Sequence, residues 1–319
     1  MKRRTFFLIL LTGICSITTG VKAAGNRIEK QTFVFAVKGT DTLALDKYEA
    51  RNVSGNRPKP VILFAFGGGF KGGDRAESRY LPFFHFLARN GYVVVSTDYR
   101  TALKAFDPRQ ATGPEAFVTA LEGAIRTAVE DFFDATRYVA AHSEEWNIDA
   151  DSIIACGSSA GAITALQSEY EICNRSEAVR RLPASFRYAG IIAFAGAIAS
   201  VGKPEFPIAP CPVMLFHGDA DRTVPFEKAV LGDTGLWGSA TIAAQLDSIG
   251  SPYYFYKIEN AGHEVAVTPM SDNLYAMMSF LTKMVVKKER LFIRTDQQGI
   301  DTPRKRKDFT LEDYLQNNR

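Results

Sequence analysis

Residues 151–161, DSIIACGSSAG, decide the fold of this chain. An apolar run leads into five small residues, and a helical pattern opens directly after them at Ala162. A serine at the middle of G-x-S-x-G, between a buried strand and a helix, is typical of a sharp turn that projects its hydroxyl from the top of a sheet. We therefore predict that Ser159 is a nucleophile at the N-terminus of that helix, with Ser158 facing elsewhere in the turn.

The rest of the chain repeats the same alternation of apolar runs and helical segments. Continuous apolar runs are typical of strands covered on both faces, and they occur at residues 60–66, 92–96, 152–156, 189–194, 213–216 and, with more aromatics, 253–258. Helical spacing occurs at residues 115–142 and 159–173. This order predicts an α/β fold with a mostly parallel, doubly wound sheet. Residues 32–37 and 42–48, joined through Gly39, predict an antiparallel hairpin at its N-terminal edge.

Two segments lie outside this alternation. Residues 101–116 have no clear periodicity, and we expect them to form a wall or small lid over the strand ends. Residues 287–319 form a polar tail that contains Arg304-Lys305-Arg306-Lys307. A solvated tail is expected there rather than a binding patch. The predicted domains are thus a signal peptide at 1–23, one catalytic domain at 24–286 and the tail at 287–319.

The first 23 residues have the pattern of a signal peptide. Basic residues at positions 2–4 precede an apolar run, and the segment ends in small residues at Ala23. The apolar run is shorter than the roughly 20 residues that a membrane span needs. We predict export to the periplasm or the medium after cleavage near Ala23, without stable membrane insertion. An uncleaved anchor is the alternative, as is a lipoprotein site at Cys15, which Ile14 before it disfavours.

The charge balance excludes a strong general attraction to nucleic acid. The chain has 38 Lys and Arg against 35 Asp and Glu, and the predicted signal peptide contains four of the basic residues and no acidic one. Without it the chain has 34 basic and 35 acidic residues, which is close to neutral. No nucleic-acid partner is expected.

A serine hydroxyl needs a neighbouring base at neutral pH, and the chain has only four histidines. His263, in the NAGHE sequence after the last predicted strand, is the predicted base. His85 lies among phenylalanines and is expected to pack in the core. His142 ends a long helical segment, and His217 directly follows a strand, so structural roles are expected for both.

The acid is expected between serine and histidine in chain order, after a neighbouring strand. The sequence HGDADRTVP at 217–225 offers Asp219 and Asp221. Asp219 is expected to bond locally in the turn, whereas Asp221 lies further into the loop and is the predicted acid. Asp233 and Asp247 are more distant rivals, expected at the surface.

Backbone N–H donors for an oxyanion are available in two places. One is Ala160, directly after the predicted nucleophile, and the other is the FGGGF sequence at 66–70. A plain flexible loop is the alternative for the glycines. They have neither the G-x-G-x-x-G spacing nor a following GK[ST], so nucleotide binding is disfavoured. No metal or organic cofactor is expected.

Together these motifs resemble the carboxylesterase and lipase branch of the α/β-hydrolase superfamily, particularly exported bacterial esterases of the acetylxylan- or feruloyl-esterase-like type. The resemblance runs from about residue 46 to 282, through FGGGF, STDYR at 96–100, ID at 148–149, GSSAG, HGDADRTVP and AGHE. It implies the α/β-hydrolase fold and hydrolysis of a small-molecule or saccharide-linked ester through an acyl-enzyme.

The resemblance also implies roles for particular residues. Ser159, Asp221 and His263 become nucleophile, acid and base, and the oxyanion donors become Gly68, Gly69 and Ala160. Phe66 departs from the pattern, since many relatives have a histidine there that supports the loop. A peptidase of the same fold and a catalytically silent binding protein are the alternatives.

Two further expectations concern single positions. Trp237, between the acid and the base, is a candidate wall of the substrate pocket, with core packing as the alternative. Cys173 and Cys211 are both expected at the face of the sheet opposite the active site, where an oxidising compartment would allow a disulfide. Cys156, inside a strand, is expected to be a buried small hydrophobe.

Overall fold

The computed structural model describes residues 27–51, 57–107, 113–298 and 305–318. The predicted signal peptide, Cys15 and residues 108–112 of the predicted wall lie outside these residues. Among the helices that the structure describes, none has the length and apolar character that crossing a membrane requires.

A nine-stranded sheet forms the centre of the molecule, in the order β1-β2-β4-β3-β5-β6-β8-β11-β12. Its strands are β1 Ile28–Lys38, β2 Asp41–Ala50, β3 Lys59–Ala65, β4 Val93–Thr97, β5 Ile148–Ser158, β6 Gly190–Phe194, β8 Val213–Gly218, β11 Tyr253–Ile258 and β12 Phe292–Gln297. All pairs from β4 to β12 are parallel, while β1–β2 and β2–β4 are antiparallel. The predicted parallel sheet with an antiparallel N-terminal edge is therefore confirmed.

The apolar runs form strands because both faces of the sheet are covered. Every residue of β4, β6 and β8 is buried. The helices are α1 Leu81–Arg89, α2 Pro114–Ala141, α3 Ser143–Trp146, α4 Ala160–Asn174, α5 Ser239–Ser248, α6 Pro269–Asp272, α7 Leu274–Phe280 and α8 Leu311–Asn318. The predicted helices at 115–142 and 159–173 correspond to α2 and α4, within one residue at each end.

The predicted boundary at residue 286 is wrong. β12 pairs in parallel with β11 and extends the central sheet, and α8 lies within the predicted tail. β12 is an edge strand in which Phe292 and Ile293 are followed by Arg294, Thr295 and Asp296. A search for continuous apolar runs misses such a strand, because only one side of it is paired.

A second sheet of three short antiparallel strands was not predicted from the sequence. It consists of β7 Ala197–Val201, β9 Lys228–Leu231 and β10 Thr234–Gly238, in the order β7-β10-β9. β9 and β10 are joined by a tight turn at Gly232, whose φ is 61°. These strands have only four or five residues and are interrupted by polar residues or glycines, so they give neither a continuous apolar run nor a recognisable alternation.

The three cysteines in the described part of the chain are free thiols, so the predicted disulfide between Cys173 and Cys211 is not formed. Both residues contact the same carboxyl oxygen of Glu169. The Cys173 thiol donates to Oε1 at 3.7 Å, and the Cys211 backbone N–H donates to it at 2.8 Å. Burial raises the pKa of Glu169 to about 7. Cys156 is fully buried in β5, as expected.

Candidate active site

The GSSAG sequence forms a tight turn between β5 and α4. Ser159 has φ 53° and ψ −119°, an unfavourable conformation for a residue with a side chain. Its N–H donates to the Phe194 carbonyl oxygen at 2.9 Å, and its own carbonyl oxygen accepts the Ile163 N–H at 2.9 Å. The turn therefore holds the Ser159 hydroxyl above the carboxyl ends of the strands, at the N-terminus of α4.

Close backbone contacts explain the two glycines of this motif. A Cβ on Gly157 would lie 2.1 Å from the Gly161 carbonyl oxygen, and a Cβ on Gly161 would lie 2.1 Å from the Ala65 carbonyl oxygen. Both distances are far below van der Waals contact, and the opposing atoms belong to backbone that cannot move aside. Only glycine fits at these two positions while the turn keeps its conformation.

The structure brings the three predicted residues of the triad together. Ser159 Oγ lies 2.8 Å from His263 Nε2, and His263 Nδ1 lies 2.8 Å from Asp221 Oδ2. His263 begins a short 3-10 helix, His263–Ala266, after β11, and Asp221 lies in the loop after β8. Parallel strands end at the same edge of the sheet, which is why loops after β5, β8 and β11 meet there.

Asp221 is almost fully buried and fully hydrogen-bonded. Its Oδ1 accepts the backbone N–H groups of Thr223 and Val224, at 2.8 and 3.1 Å. Burial acts to raise the pKa of Asp221, but hydrogen bonds from His217 and His263 outweigh burial and hold that pKa below its usual value. An ionised carboxylate can only accept, so Nδ1 of His263 is the protonated ring nitrogen and Nε2 accepts from Ser159.

His217 has a structural position beside the acid, as expected from the sequence. Its ring is fully buried, with Nδ1 2.8 Å from Ser239 Oγ and Nε2 3.2 Å from the Val224 carbonyl oxygen. Nε2 also lies 3.5 Å from Asp221 Oδ2. His217 therefore supports the loop that carries Asp221 and does not reach Ser159.

Two side chains for which the sequence predicted only local roles tie the loops together. The Ser158 hydroxyl donates to the Ala266 carbonyl oxygen at 2.8 Å and so anchors the segment that carries His263. Asp219 accepts the Asn260 backbone N–H at 2.6 Å, which links the loops after β8 and β11. The expectation that Asp219 bonds within its own turn is wrong in this respect. Neither partner is near in sequence, so no local pattern signals these bonds.

The FGGGF loop lies beside Ser159 and is held by two buried tyrosines. Gly68 and Gly69 have φ of 143° and 61°, and a Cβ on Gly68 would lie 2.1 Å from the Gly72 carbonyl oxygen. The Tyr99 hydroxyl donates to the Phe66 carbonyl oxygen at 2.8 Å, and the Tyr80 hydroxyl accepts the Gly67 N–H at 3.1 Å.

The ring of Phe66 stacks on the ring of Tyr99 with centroids 4.4 Å apart. At Phe66 the resemblance implied a supporting histidine. Here the loop is held through its backbone groups by Tyr80, which precedes α1, and by Tyr99, which follows β4. Only the tertiary structure shows that tyrosine hydroxyl groups hold the backbone of this loop.

Two cavities of different size meet at Ser159. A small one of about 10 Å³ has apolar walls except at the serine, lined by Gly69, Phe70, Leu103, Phe117, Leu121, Ser159, Ala160, Ile163 and Val224. A larger open cleft of about 610 Å³ has charged and polar side chains among its lining residues, which are Gly67, Gly68, Gly69, Lys71, Arg79, Ser158, Ser159, Thr223, His263, Glu264, Ala266, Val267, Thr268 and Asn317. Each of the predicted oxyanion donors lines at least one of these two cavities: Gly68 the cleft, Ala160 the small cavity and Gly69 both.

Trp237 does not form the predicted wall of the substrate pocket, whereas part of residues 101–116 does line a cavity at Ser159. Trp237 lines neither cavity. It is buried in β10, where its Nε1 faces the Ser200 carbonyl oxygen of β7 at 3.5 Å, so the predicted pocket wall is wrong and the core alternative holds. Leu103, in the described part of 101–116, does line the small cavity, and its N–H donates to the Phe70 carbonyl oxygen at 3.0 Å.

The sheet order and the position of the Ser159 turn are those of the α/β-hydrolase fold, as the resemblance implied. A family model described as BD-FAE matches residues 45–199, which contain the glycine loop and the Ser159 turn. A comparison with curated proteins finds no significant match.

Solved structures with this fold include esterase 2 of the planctomycete Thermogutta terrifontis, which is described as a novel thermophilic esterase. The native structure is 21% identical, covers 80% of this chain and 92% of its own, and has a TM-score of 0.57. The butyrate-bound structure is 20% identical, covers 82% and 95%, and has a TM-score of 0.59. The structure phosphoramylated by tabun is 20% identical, covers 80% and 94%, and has a TM-score of 0.57. At this identity the likeness shows the fold.

Proposed function

We propose that this protein is a serine esterase that hydrolyses short-chain acyl esters, acetyl esters above all, of a polar alcohol such as a saccharide. The proposal rests on the two hydrogen bonds that connect Ser159 Oγ to His263 and His263 to Asp221, each 2.8 Å long. The match to the BD-FAE model and the structural likeness to a thermophilic esterase support the same class.

The geometry supports the following mechanism. Ser159 attacks the ester carbonyl while His263 Nε2 takes its proton, and Asp221 stabilises the imidazolium that results. The N–H groups of Ala160 and of Gly68 and Gly69 receive the oxyanion. His263 then protonates the leaving alcohol, and water, activated by the same ring, releases the acyl group from Ser159.

The position of His263, which must protonate the leaving alcohol, indicates which cavity binds which half of the ester. The leaving oxygen must lie next to His263 Nε2, and His263 lines the polar cleft but not the small cavity. The alcohol therefore occupies the cleft and the acyl group the small cavity. A volume of about 10 Å³ holds roughly one water-sized group, which suits the methyl group of an acetyl ester. A feruloyl ring would have to displace Phe117 and Leu121, so we favour the acetyl half of the acetylxylan- or feruloyl-esterase-like resemblance.

The experiment measures kcat/KM on p-nitrophenyl esters of increasing acyl length and on methyl ferulate. Acyl carbons beyond the cavity's capacity overpack it, which costs about 1–3 kcal/mol, so kcat/KM should fall about 5- to 150-fold from acetate to butyrate. Ser159→Ala should abolish turnover, and Ser168→Ala, a buried serine of the same helix, should retain it. A folded Ser159→Ala variant that keeps turnover would refute the assignment, and equal rates for acetate and ferulate would refute the acyl preference.

We also propose that the protein is exported, on the N-terminal pattern of residues 1–23. Mass spectrometry of the protein recovered from the periplasm or medium should give a chain that begins at Ala24. Recovery of the full chain from the cytoplasm alone would contradict this proposal.

A further inference from the structure

The last described residues, 305–318, run across the loops that carry the acid and the base, and we refer to them as the C-terminal strap. The Lys305 N–H donates to Asn260 Oδ1 at 2.7 Å, and Lys305 Nζ pairs with Glu264 at 3.0 Å. Lys307 Nζ pairs with Asp219 at 2.8 Å. The strap thus contacts the loop after β8, which carries Asp221, and the residue next to His263.

α8 is fixed at its N-terminus by one buried carboxylate. Thr310 and Asp313 form a reciprocal pair, with the Asp313 N–H donating to Thr310 Oγ1 at 3.1 Å and the Thr310 N–H donating to Asp313 Oδ2 at 3.0 Å. Asp313 also forms ion pairs with Arg222 and Arg306. Since Arg222 directly follows Asp221, the helix is joined to the acid loop itself.

One turn further along, Asn317 reaches the active-site cleft. Its Nδ2 donates to the Arg222 and Asp313 carbonyl oxygens, both at 2.8 Å, which fixes the side chain. The residue lines the same cleft as Ser159 and His263. A residue from the far end of the chain is therefore held at a set position relative to the triad.

We propose that Asn317, presented by the C-terminal strap, is a specificity-determining residue that binds a hydroxyl group of a polyhydroxylated leaving alcohol. This rests on the proposed function, which places the alcohol in the cleft. Both Nδ2 hydrogens are donated within the protein, so the Asn317 Oδ1 is the atom that accepts a hydrogen bond from a substrate hydroxyl group. We expect a one- or two-carbon alcohol to remain beside His263, where it leaves its ester oxygen, and not to bind Asn317.

The test compares two esters that share the acetyl group, ethyl acetate and a monosaccharide acetate, by acetate release at constant pH. In Asn317→Ala the ratio of kcat/KM for the sugar ester to kcat/KM for ethyl acetate should fall about tenfold, as expected for one lost hydrogen bond to the substrate. Gln316→Ala, an exposed neighbour on the same helix that bonds Glu312, should keep the wild-type ratio. An unchanged ratio in Asn317→Ala, or an equal change in Gln316→Ala, overturns the proposal.

A second variant separates the strap from the single side chain. Asp313→Ala removes the ion pair with Arg222 and the cap of α8, so it should lower the same ratio at least as much as Asn317→Ala. A wild-type ratio in Asp313→Ala overturns the role of the strap. If wild-type protein hydrolyses neither ester, the proposed function itself fails, whereas activity on ethyl acetate with unaltered ratios defeats the inference about Asn317 alone.

Discussion

Removing one hydroxyl group, in Tyr99→Phe, tests whether the buried tyrosines hold the glycine loop in its catalytic conformation. Tyr99 Oη donates to the Phe66 carbonyl oxygen at 2.8 Å, and the Tyr99 ring stacks on Phe66. Phenylalanine keeps the ring and its stacking but removes the donor. Of the two hydrogen bonds between a tyrosine and the loop backbone, the variant keeps the one from the Gly67 N–H to Tyr80.

The size of the effect follows from burial. Phe66 is 3% exposed and Tyr99 likewise, so the Phe66 carbonyl oxygen would lose its tyrosine partner away from solvent, at about 1–3 kcal/mol of folding free energy. Complete loss of one oxyanion donor lowers kcat about 100- to 1000-fold. Tyr99→Phe loosens the loop but leaves the donors in place, so we expect kcat to fall by about tenfold. KM should change little, because the oxyanion donors bind the bound substrate less strongly than the transition state.

Tyr188→Phe is the matched control. The Tyr188 hydroxyl is equally buried and lies 2.8 Å from Thr136 Oγ1, and Tyr188 lines neither cavity at Ser159. Both variants should lose similar free energy of unfolding in denaturant titrations, and only Tyr99→Phe should lose kcat on p-nitrophenyl acetate. Equal kcat in the two variants, or equal losses of kcat in both, would show that the Tyr99 bond has no specific part in catalysis.

Three further predictions concern the acyl cavity, the acid and a buried carboxyl group. Leu121 lines both the small cavity and an apolar cavity of about 30 Å³, so Leu121→Ala should enlarge the acyl cavity and raise the butyrate-to-acetate ratio of kcat/KM by about tenfold in the p-nitrophenyl series; an unaltered ratio contradicts the acyl assignment. Asp221→Asn replaces the acceptor of the His263 Nδ1–H and should lower kcat about 1000- to 10000-fold while the folded state is kept, measured by steady-state kinetics and circular dichroism. Burial raises the pKa of Glu169 from 4.5 to about 7, so the stability that this group contributes in its protonated form is lost as pH rises through that window. Glu169→Gln should therefore make the change in unfolding free energy from pH 4 to pH 8 about 3 kcal/mol more favourable to the folded state than in the wild type, and an identical change in the two proteins refutes this.

The order of strands along the chain could be predicted because burial on both faces leaves a continuous apolar run. β3, β4, β6 and β8 follow that pattern, and the structure places each of them, and the more aromatic β11, within about two residues of its predicted position. The edge strand β12 and the three short strands around Trp237 could not be recognised this way. Their side chains alternate or are too few, so neighbouring elements decide their conformation.

The sequence by itself determined the strand–turn–helix around Ser159 and the identity of the three residues that meet there, because glycine spacing and chain order are local and topological constraints. Only the tertiary structure decided which groups support them. Tyr99 on the glycine loop, Ser158 on the His263 segment and Asn317 at the rim of the cleft act on partners that are 33, 108 and 95 residues away in the chain. Such contacts depend on how the elements pack against one another, and no pattern within a short stretch of sequence encodes them.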